Sequence, residues 1–391
     1  MRQAPEASVE LKNYDISPER GFLPESDPTR ELPAPLALWQ ELARELPKRL
    51  AARRVRDAVR TLPRFDLAAL RSPADERAAM RALSFLGHAF VWEGGAPDPS
   101  LPPQLAVPWC ALGRRVGRPP VLSYASYALD NWRRFDARGP IAVENLAILQ
   151  NFLGGQDEDW FILIHVEIEA LAARALRAAP GARTAVARGD GAALTARLEE
   201  VAGALEAMLA SLRRMPERCD PYVYFARVRP FIHGWKNHPA LPQGVRYEGV
   251  AELDGPQRLR GETGAQSTIV PVLDALLGVS HAPDPLREYL DEMRGYMPPR
   301  HRAFLEHIEA GGSVRPAVRD LRGSRPELAE AYDACLHWLE AFRSLHLEYA
   351  AQYIHAQAGG GANPSDVGTG GTPFMKYLAK HRDETAADRL G

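Results

Sequence analysis

The sequence has few cysteines, no long apolar run and no excess of charge of one sign. Its three cysteines, Cys110, Cys219 and Cys335, lie far apart without a CxxC pair, which argues against a disulfide framework and a thiolate metal site. Apolar runs such as the FILI before His165 are shorter than the roughly 20 residues of a membrane span. Lysine and arginine number 48 against 50 acidic residues, so no field that recruits nucleic acid is expected.

Strand-like alternation of apolar and polar residues is also scarce, and the pattern therefore predicts an all-α fold. A chain of 391 residues can form two domains, and a Gly-Gly break predicts a boundary that separates residues 1–152 from residues 153–391. The N-terminus has neither the basic segment nor the apolar segment of a signal peptide. We therefore expect a cytoplasmic protein.

The helical body is preceded by an arm. Residues 1–36 are rich in proline and charge and predict an extended segment that wraps the helices. Leucine and valine periodicity predicts one amphipathic helix over 37–62, bent at Pro47, and a second over 75–90. Another long helix, rich in alanine and leucine, is predicted over 184–217.

The most informative helix is predicted over 332–355, with His346 near its centre. Residues at three- and four-residue steps, including Leu339, place His346 on the apolar stripe that faces the core. Periodicity alone favours a hydrogen-bonded core histidine over a metal ligand. His337 and His355 are each nine residues away and point to the opposite side. A metal at His346 would thus have one ligand from this helix, which is typical of haem iron and not of zinc.

A second histidine lies in an apolar helix. Periodicity places His165 on one surface with Phe161 and Glu169, and it is compatible with a core histidine bonded to Glu169 or to a backbone carbonyl. The alternative is a polar group in a dry pocket. Tyr124 and Tyr127 fall on one face of a short helix, where they either fill the core or line that pocket.

Two arginines stand in an apolar and aromatic setting. Arg227 and Arg229 occur in YFARVRPF, where a guanidinium needs an anionic partner such as a substrate carboxylate. His233 and His238 flank Trp235 in a turn-rich stretch and are expected at the surface. A glycine-rich loop after the His346 helix is typical of a mobile lid.

Taken together, these segments resemble the indoleamine 2,3-dioxygenase family of haem enzymes. The resemblance rests on NYDISPERGFLP, PPVLSYASYALDNW, DEDWF, GWKNHP, GETGAQS, RGYMPPRHRAFL, YDACLHWLEAFRSLHLEYAAQYI and GTGGT, which span nearly the whole chain. It implies an all-α fold in which a small N-terminal helical domain covers the distal side of a haem held by a large C-terminal helical domain.

The resemblance also implies roles for individual residues on both sides of haem b. His346 matches the proximal iron ligand, and Arg343 a propionate contact. Trp235 and Asp274 match positions behind the haem that steady the ligand and the propionates. On the substrate side, Arg229 matches the arginine that grips the carboxylate. Residues implied to bind the substrate are Tyr124, Tyr127, Phe161, Tyr224, Phe225, Glu262, Thr263, Gly264 and, near the substrate ammonium, Thr369.

This chain departs from the family's pattern at three places. His165 stands where the animal enzymes have a serine, and Tyr224 stands where phenylalanine is common. Glu262 and Thr263 replace a smaller Gly-Ser pair. The distal side is therefore expected to be more polar, with His165 as a catalytic group that accepts a hydrogen bond from the indole N–H or bonds the oxygen.

The implied reaction opens the indole ring of L-tryptophan or a related indoleamine. O2 adds across the C2–C3 bond and both oxygen atoms enter N-formylkynurenine, the first step of the kynurenine pathway. Two alternatives stay open: a related haem enzyme of secondary metabolism that oxidises a substituted tryptophan or another indole, and a haem- or indole-binding sensor. The expected partners are the indole and O2, without nucleic acid or membrane, in a monomer or weak homo-oligomer.

Overall fold

The computed structural model describes residues 11–280, 285–357 and 375–390, and it confirms the mostly helical fold. The helices are α1 Ala37–Arg44, α2 Leu46–Ala51, α3 Val55–Thr61, α4 Pro73–Trp92, α5 Pro103–Val116, α6 Gln156–Arg188, α7 Gly191–Leu212, α8 Pro221–Val223, α9 Arg229–Ile232, α10 Ile269–Leu277, α11 Pro285–Met293, α12 Pro299–Ala310, α13 Arg315–Leu321, α14 Pro326–Tyr353 and α15 Met375–Ala387. None of these described helices is long and apolar enough to cross a membrane.

Four short strands form two small pairs. β1 (Ser100–Leu101) runs parallel to β4 (Arg246–Tyr247), and β2 (Trp132–Arg134) runs antiparallel to β3 (Leu146–Ile148). Each pair fixes the ends of connecting segments, and the core lies between helices.

Helices α6, α7, α14 and α15 pack against one another in series. Helix α6 begins with three acidic residues in its first turn, where they interact favourably with the helix dipole. It ends at Gly189, whose φ of 65° suits glycine, and the Asp190 side chain then accepts a hydrogen bond from the Ala193 N–H to start α7. The helix predicted over 184–217 is therefore wrong in its start, because residues up to Arg188 belong to α6.

The N-terminal region is more broken than the sequence predicts. The helix predicted over 37–62 divides into α1, α2 and α3. The prolyl ring of Pro47 removes an N–H and fits only in the first turn of α2, and Arg53 adopts a left-handed conformation with φ of 54° before α3. The helix predicted over 75–90 is confirmed as α4, which starts with a capping box between Ser72 and Asp75.

The described part of the arm is extended only in places, because 3-10 helices cover Leu11–Tyr14 and Ala34–Leu36 and a tight turn joins Ser17 to Gly21, and its apolar side chains are buried. Ile16, Phe22 and Leu23 join the core, and the Phe22 ring lies 4.6 Å from that of His301 in α12. Gly21 has φ of +62°, and a Cβ there would lie 2.8 Å from the carbonyl oxygen of Glu169. A glycine is therefore required where the arm crosses α6.

Two π-helical turns interrupt the helical pattern, over Ala125–Leu129 and Tyr224–Val228. Such turns are rare and are found often at functional sites, because the extra residue redirects the side chains. The first corresponds to the short helix predicted around Tyr127, and the second leads directly into Arg229.

Candidate functional site

His346 lies on α14 at the wall of an interior cavity. Its side chain is accessible to solvent, yet burial in the surrounding protein, followed by the proximity of His165, lowers its pKa to about 4. Because the His346 ring is accessible and is also surrounded by protein, it faces a cavity inside the protein. The described residues provide no hydrogen bond to the His346 ring, so the bonded core histidine favoured by periodicity alone is not what the structure has.

His165 lies within electrostatic reach of His346, on α6. Its Nδ1 lies 2.7 Å from the carbonyl oxygen of Phe161, one turn earlier. A carbonyl only accepts, so Nδ1 carries the proton and Nε2 keeps its lone pair in the neutral ring. Burial lowers the pKa of His165, opposed by this hydrogen bond, and the ring is therefore neutral at physiological pH. The predicted bond to a backbone carbonyl is confirmed, and the partner is not Glu169.

Aromatic rings extend the wall on which His165 lies. The Phe161 ring lies 4.6 Å from His165, 4.7 Å from Tyr224 and 6.4 Å from Tyr127, measured between centroids. Tyr124 stands edge-on to His165 at 6.0 Å. The structure thus brings together four of the aromatic residues that the sequence places in a substrate pocket.

Behind Tyr124 lies a hydrogen-bonded network that the sequence analysis did not identify. Glu169 is 1% exposed, accepts a hydrogen bond from Ser267 at 2.7 Å and also bonds the Tyr124 hydroxyl. Burial raises the pKa of Glu169 to about 7, although both hydrogen bonds oppose the shift. The available signal was the four-residue spacing from His165 to Glu169, which places both on one helix face.

The segment that carries Glu262, Thr263 and Gly264 is held by a close backbone crossing. A Cβ added at Gly261 would lie 2.1 Å from the backbone nitrogen of Gly234, so neither glycine tolerates a side chain. Thr263 accepts a hydrogen bond from Ala265 N–H. A Cβ at Gly264 would meet nothing within 4 Å, so its backbone borders open space. Glu262 is 4% exposed, and burial raises its pKa to about 8.

The raised pKa of Glu262 predicts how stability changes with pH. The unfolded chain loses this proton near pH 4.5, whereas the folded protein keeps it until about pH 8. The unfolded state therefore binds fewer protons in that range, and this group makes the free energy of unfolding fall by about 1.4 kcal/mol per pH unit as pH rises. Glu262→Gln is expected to flatten the decline between pH 5 and pH 7.5, as measured by chemical denaturation. Equal slopes in the two proteins would contradict it.

Arg229 is the buried arginine of the pair in YFARVRPF. It is 0% exposed, with its guanidinium 5.5 Å from the Phe225 ring centroid, and burial lowers its pKa to about 10 while Tyr224 opposes the shift. Arg227 is exposed, so the expectation that both arginines need a buried anion is wrong for Arg227. The π-helical turn explains this difference, because it places Val228 and Arg229 inward and Arg227 outward.

On the side of His346, Arg343 pairs with Asp274. The guanidinium Nη2 donates to both carboxylate oxygens, at 2.6 and 2.9 Å, and Nη1 donates to the hydroxyl of Thr385 on α15. Arg343 lies one turn before His346 on α14. The pair therefore lies one turn from His346, where the sequence predicts a propionate contact.

Trp235, His233 and His238 lie deeper than the sequence suggests. His233 and His238 are 2% and 7% exposed, so their predicted surface positions are wrong. Trp92, at the end of α4, covers them: its indole N–H donates to the His233 carbonyl, and its ring lies 4.6 Å from His238. Trp235 is fully buried 4.8 Å from the His88 ring, which ties it to α4. Its predicted position behind the haem stays a prediction.

The described residues fit a haem group. Among them, no cluster of three or more His, Cys, Asp or Glu side chains could hold a metal ion, so an iron at His346 needs its other ligands from a macrocycle. His346 offers a neutral, accessible ring, which suits an axial ligand. Thr369, predicted near the substrate ammonium, lies outside the described residues.

Helices that bring two histidines and a cluster of aromatic rings together, with a buried arginine beside Tyr224 and Phe225, define a helical small-molecule-binding protein with a haem-compatible site. Comparison with known proteins specifies the class. The model of the indoleamine 2,3-dioxygenase family matches residues 10–388. Indoleamine 2,3-dioxygenase 1 of Rattus norvegicus is 37% identical, with 96% of this chain and 94% of that protein covered. Indoleamine 2,3-dioxygenase of Saccharomyces cerevisiae is 33% identical, over 96% of this chain and 93% of that protein.

Indoleamine 2,3-dioxygenase 2 of Homo sapiens is 32% identical, with 96% of this chain and 95% of that protein covered. The chain belongs to the indoleamine 2,3-dioxygenase family, whose members are haem-dependent dioxygenases that incorporate O2. The resemblance found in the sequence is thereby confirmed.

Proposed function

We propose that this protein cleaves the indole C2–C3 bond of L-tryptophan or a related indoleamine and releases N-formylkynurenine or its counterpart. The observation that carries the proposal is the pair of histidines, His346 and His165, within electrostatic reach of each other at one enclosed cavity. Haem b, when bound, supplies the activation of O2, and both oxygen atoms enter the product. The other contributions come from side chains of this chain.

His346 holds the iron as the proximal ligand in this proposal. Its neutral ring keeps a lone pair for the metal because burial holds its pKa at about 4. Arg343, anchored by Asp274, contributes positive charge for a propionate one helical turn away. Trp235 steadies the same side of the haem from behind.

His165 acts on the distal side as a hydrogen-bond acceptor. Because Nδ1 donates to the Phe161 carbonyl, Nε2 can accept from the indole N–H but has no proton to offer to oxygen. Of the two roles that the sequence left open, the tautomer therefore favours the first. Accepting this hydrogen bond orients the C2–C3 bond and stabilises positive charge that develops on the indole nitrogen.

Arg229 holds the substrate carboxylate, and the aromatic rings hold the indole. A guanidinium binds a carboxylate through two parallel hydrogen bonds, which fixes orientation as well as position. Since Arg229 is fully buried, its guanidinium must turn towards the cavity when the substrate binds. Thr369, which lies outside the described residues, contacts the substrate ammonium in this proposal.

His165→Ala, which removes the acceptor altogether, is expected to retain haem and lose turnover. The loss of one well-oriented acceptor should lower kcat by about 10- to 1000-fold, the range typical of a single positioned group. The Soret absorbance per protein measures haem, and tryptophan consumption under reducing conditions measures turnover. His88→Gln is unsuitable as a control because His88 bonds Phe231 and Leu122 in the core. The same substitution at His337, whose side chain is exposed, is the matched control. Loss of haem in His165→Ala would contradict the distal assignment.

The function itself is tested by an absorption spectrum of the reduced protein with and without L-tryptophan, followed by product mass with labelled O2. A Soret band that shifts with tryptophan, and a product that carries two labelled oxygens, are the expected results. A shift without consumption would favour a sensor over an enzyme. Absence of a Soret band after haem addition would overturn the proposal.

We further propose a division into a small domain, 1–152, that covers the distal pocket and a large haem-binding domain, 153–391. The three cysteines are buried and free, which supports a reducing compartment such as the cytoplasm. A monomer or weak homo-oligomer is sufficient, since the site is assembled from helices of one chain.

A further inference from the structure

Three arginines surround Asp130, the residue that follows the first π-helical turn. Arg77 Nε lies 3.4 Å from one carboxylate oxygen of Asp130, and Arg118 Nη2 lies 3.8 Å from the other. Arg81 donates to the backbone carbonyl of Asp130 at 2.5 Å and to that of Thr29 at 2.9 Å. The cluster therefore joins helix α4, the turn after α5 and the arm.

This arginine cluster carries an excess of positive charge. Its three guanidiniums face one carboxylate, which offsets at most one of them. Burial lowers the pKa of Arg81 only to about 10, so the group stays charged at neutral pH. Arg81, Arg118 and Asp130 are 4%, 6% and 4% exposed, so solvent offsets little of the charge. Two acidic residues close by in the chain, Asp27 and Glu76, pair with other arginines.

The carboxylate of Asp130 also leaves guanidinium N–H groups without an acceptor. Its separations of 3.4 and 3.8 Å are longer than the roughly 2.7–3.2 Å of an N–H···O hydrogen bond. Within residues 11–280, 285–357 and 375–390, the buried atoms Arg118 Nη1, Arg77 Nε and Arg81 Nε make no hydrogen bond. A buried charged group without hydrogen bonds destabilises the fold, and a ligand that accepts from it removes this cost.

The burial of the arginines indicates the size and charge of that ligand. The side chain of Arg77 is 35% exposed and that of Arg118 is 4% exposed, so solvent reaches the cluster from the side of Arg77 and only a small ligand reaches Arg118. A water molecule accepts hydrogen bonds but leaves the excess charge in place. An anion does both, and a guanidinium binds one through several N–H groups in a plane.

We propose that Arg77, Arg81 and Arg118 form a binding site for a small inorganic anion, with Arg118 Nη1 as its innermost donor. The anion offsets the excess charge and stabilises the packing of α4 against the π-helical turn that carries Tyr127. None of these arginines binds haem or indole in the proposed function, so the inference is independent of the reaction.

The test exchanges the anions around the haem-loaded protein at constant ionic strength and neutral pH. Chloride or phosphate replaces gluconate, which is too large for the site, and the midpoint of thermal unfolding is measured. At about tenfold or more above its dissociation constant, an anion that binds only the folded state should raise the midpoint by about 2 °C or more. A rise with either anion supports the site, and the anion that causes it identifies a halide or an oxyanion.

Variants assign this rise to the cluster. Arg118→Gln removes the innermost donor and is expected to lose more than half of the rise. Arg77→Gln makes the same change at a less buried side chain, and it decides the question if the first variant does not fold. Asp130→Asn removes the competing carboxylate and is expected to enlarge the rise. Arg115→Gln, at an arginine of α5 that is 47% exposed, is the matched control and should keep the full rise.

Anomalous diffraction then locates the anion in crystals of the haem-loaded protein, with bromide in place of chloride or arsenate in place of phosphate. The expected peak lies within hydrogen-bonding distance of Arg118 Nη1. Two results would overturn the proposal: equal midpoint changes in the wild-type protein and in the variants at Arg118 and Arg77, or peaks at other positions alone, which would show an adventitious ion only. Neither measurement depends on turnover, so a failure of the proposed function leaves this test unaffected.

Discussion

His346→Gly is expected to abolish haem binding, and added imidazole is expected to restore it. In the proposed function, His346 supplies the bond from this chain to the iron, so the substitution removes that bond. Removal of a residue that only hydrogen-bonds a metal ligand lowers metal affinity roughly 10- to 100-fold. Removal of the ligand itself should lower the affinity more. Glycine leaves space at the cavity wall, and free imidazole can occupy that space as a replacement ligand. Soret absorbance during haem titration, with and without imidazole, measures both effects.

His337→Gly is the matched control for this experiment. It makes the same substitution in α14, on an exposed side chain, so it carries the same cost of roughly 1 kcal/mol for glycine within a helix. We expect it to retain haem. Retention of a normal Soret band by His346→Gly without imidazole would show that another residue binds the iron.

Arg229→Leu is expected to lower kcat/KM for L-tryptophan by about 30- to 3000-fold while haem is retained. Loss of a buried bidentate contact to a carboxylate removes about 2–5 kcal/mol of binding. Tryptamine, which lacks the carboxylate, separates this effect from damage to the fold. The wild-type protein should prefer tryptophan to tryptamine by a similar factor, and the variant should show almost no preference.

Arg227→Leu makes the same change two residues away on an exposed side chain. It is expected to keep the preference for tryptophan and a kcat/KM within about threefold of the wild-type value, as is usual for surface substitutions. A variant at Arg229 that disfavours tryptophan and tryptamine equally would assign Arg229 a structural role. Thermal denaturation of both variants checks that the buried substitution has not unfolded the protein.

The long elements were predictable because their signals are local. Acidic residues in the first turn mark the start of α6, and a capping box marks that of α4. Between residues 37 and 61 the sequence predicted one helix bent at Pro47 and not three separate helices, since periodicity does not show where a left-handed residue such as Arg53 ends a helix. The two π-helical turns were missed for a related reason: one inserted residue changes the facing of side chains without changing composition.

The sequence predicted the residue types of the site, but only part of its geometry. His346, His165 and Arg229 stood out as polar groups in apolar runs, which is a sequence property. The network of Glu169 with Ser267 did not stand out in the sequence. Its partners are 98 residues apart and meet only when α6 packs against the segment before α10. Similarly, the turn-rich sequence around His233 and His238 predicts surface positions, whereas in the fold Trp92 covers both residues.

By itself, the sequence determined the helical class and the family, and it predicted which residues bind iron, carboxylate and indole. These depend on the identity and spacing of side chains along one chain. Only the tertiary structure decided which ring nitrogen of His165 is free and that Arg227 is outside while Arg229 is inside. The reason is physical: hydrogen-bond direction, burial and pKa depend on neighbours brought together across the fold, and those neighbours have no fixed spacing in the sequence.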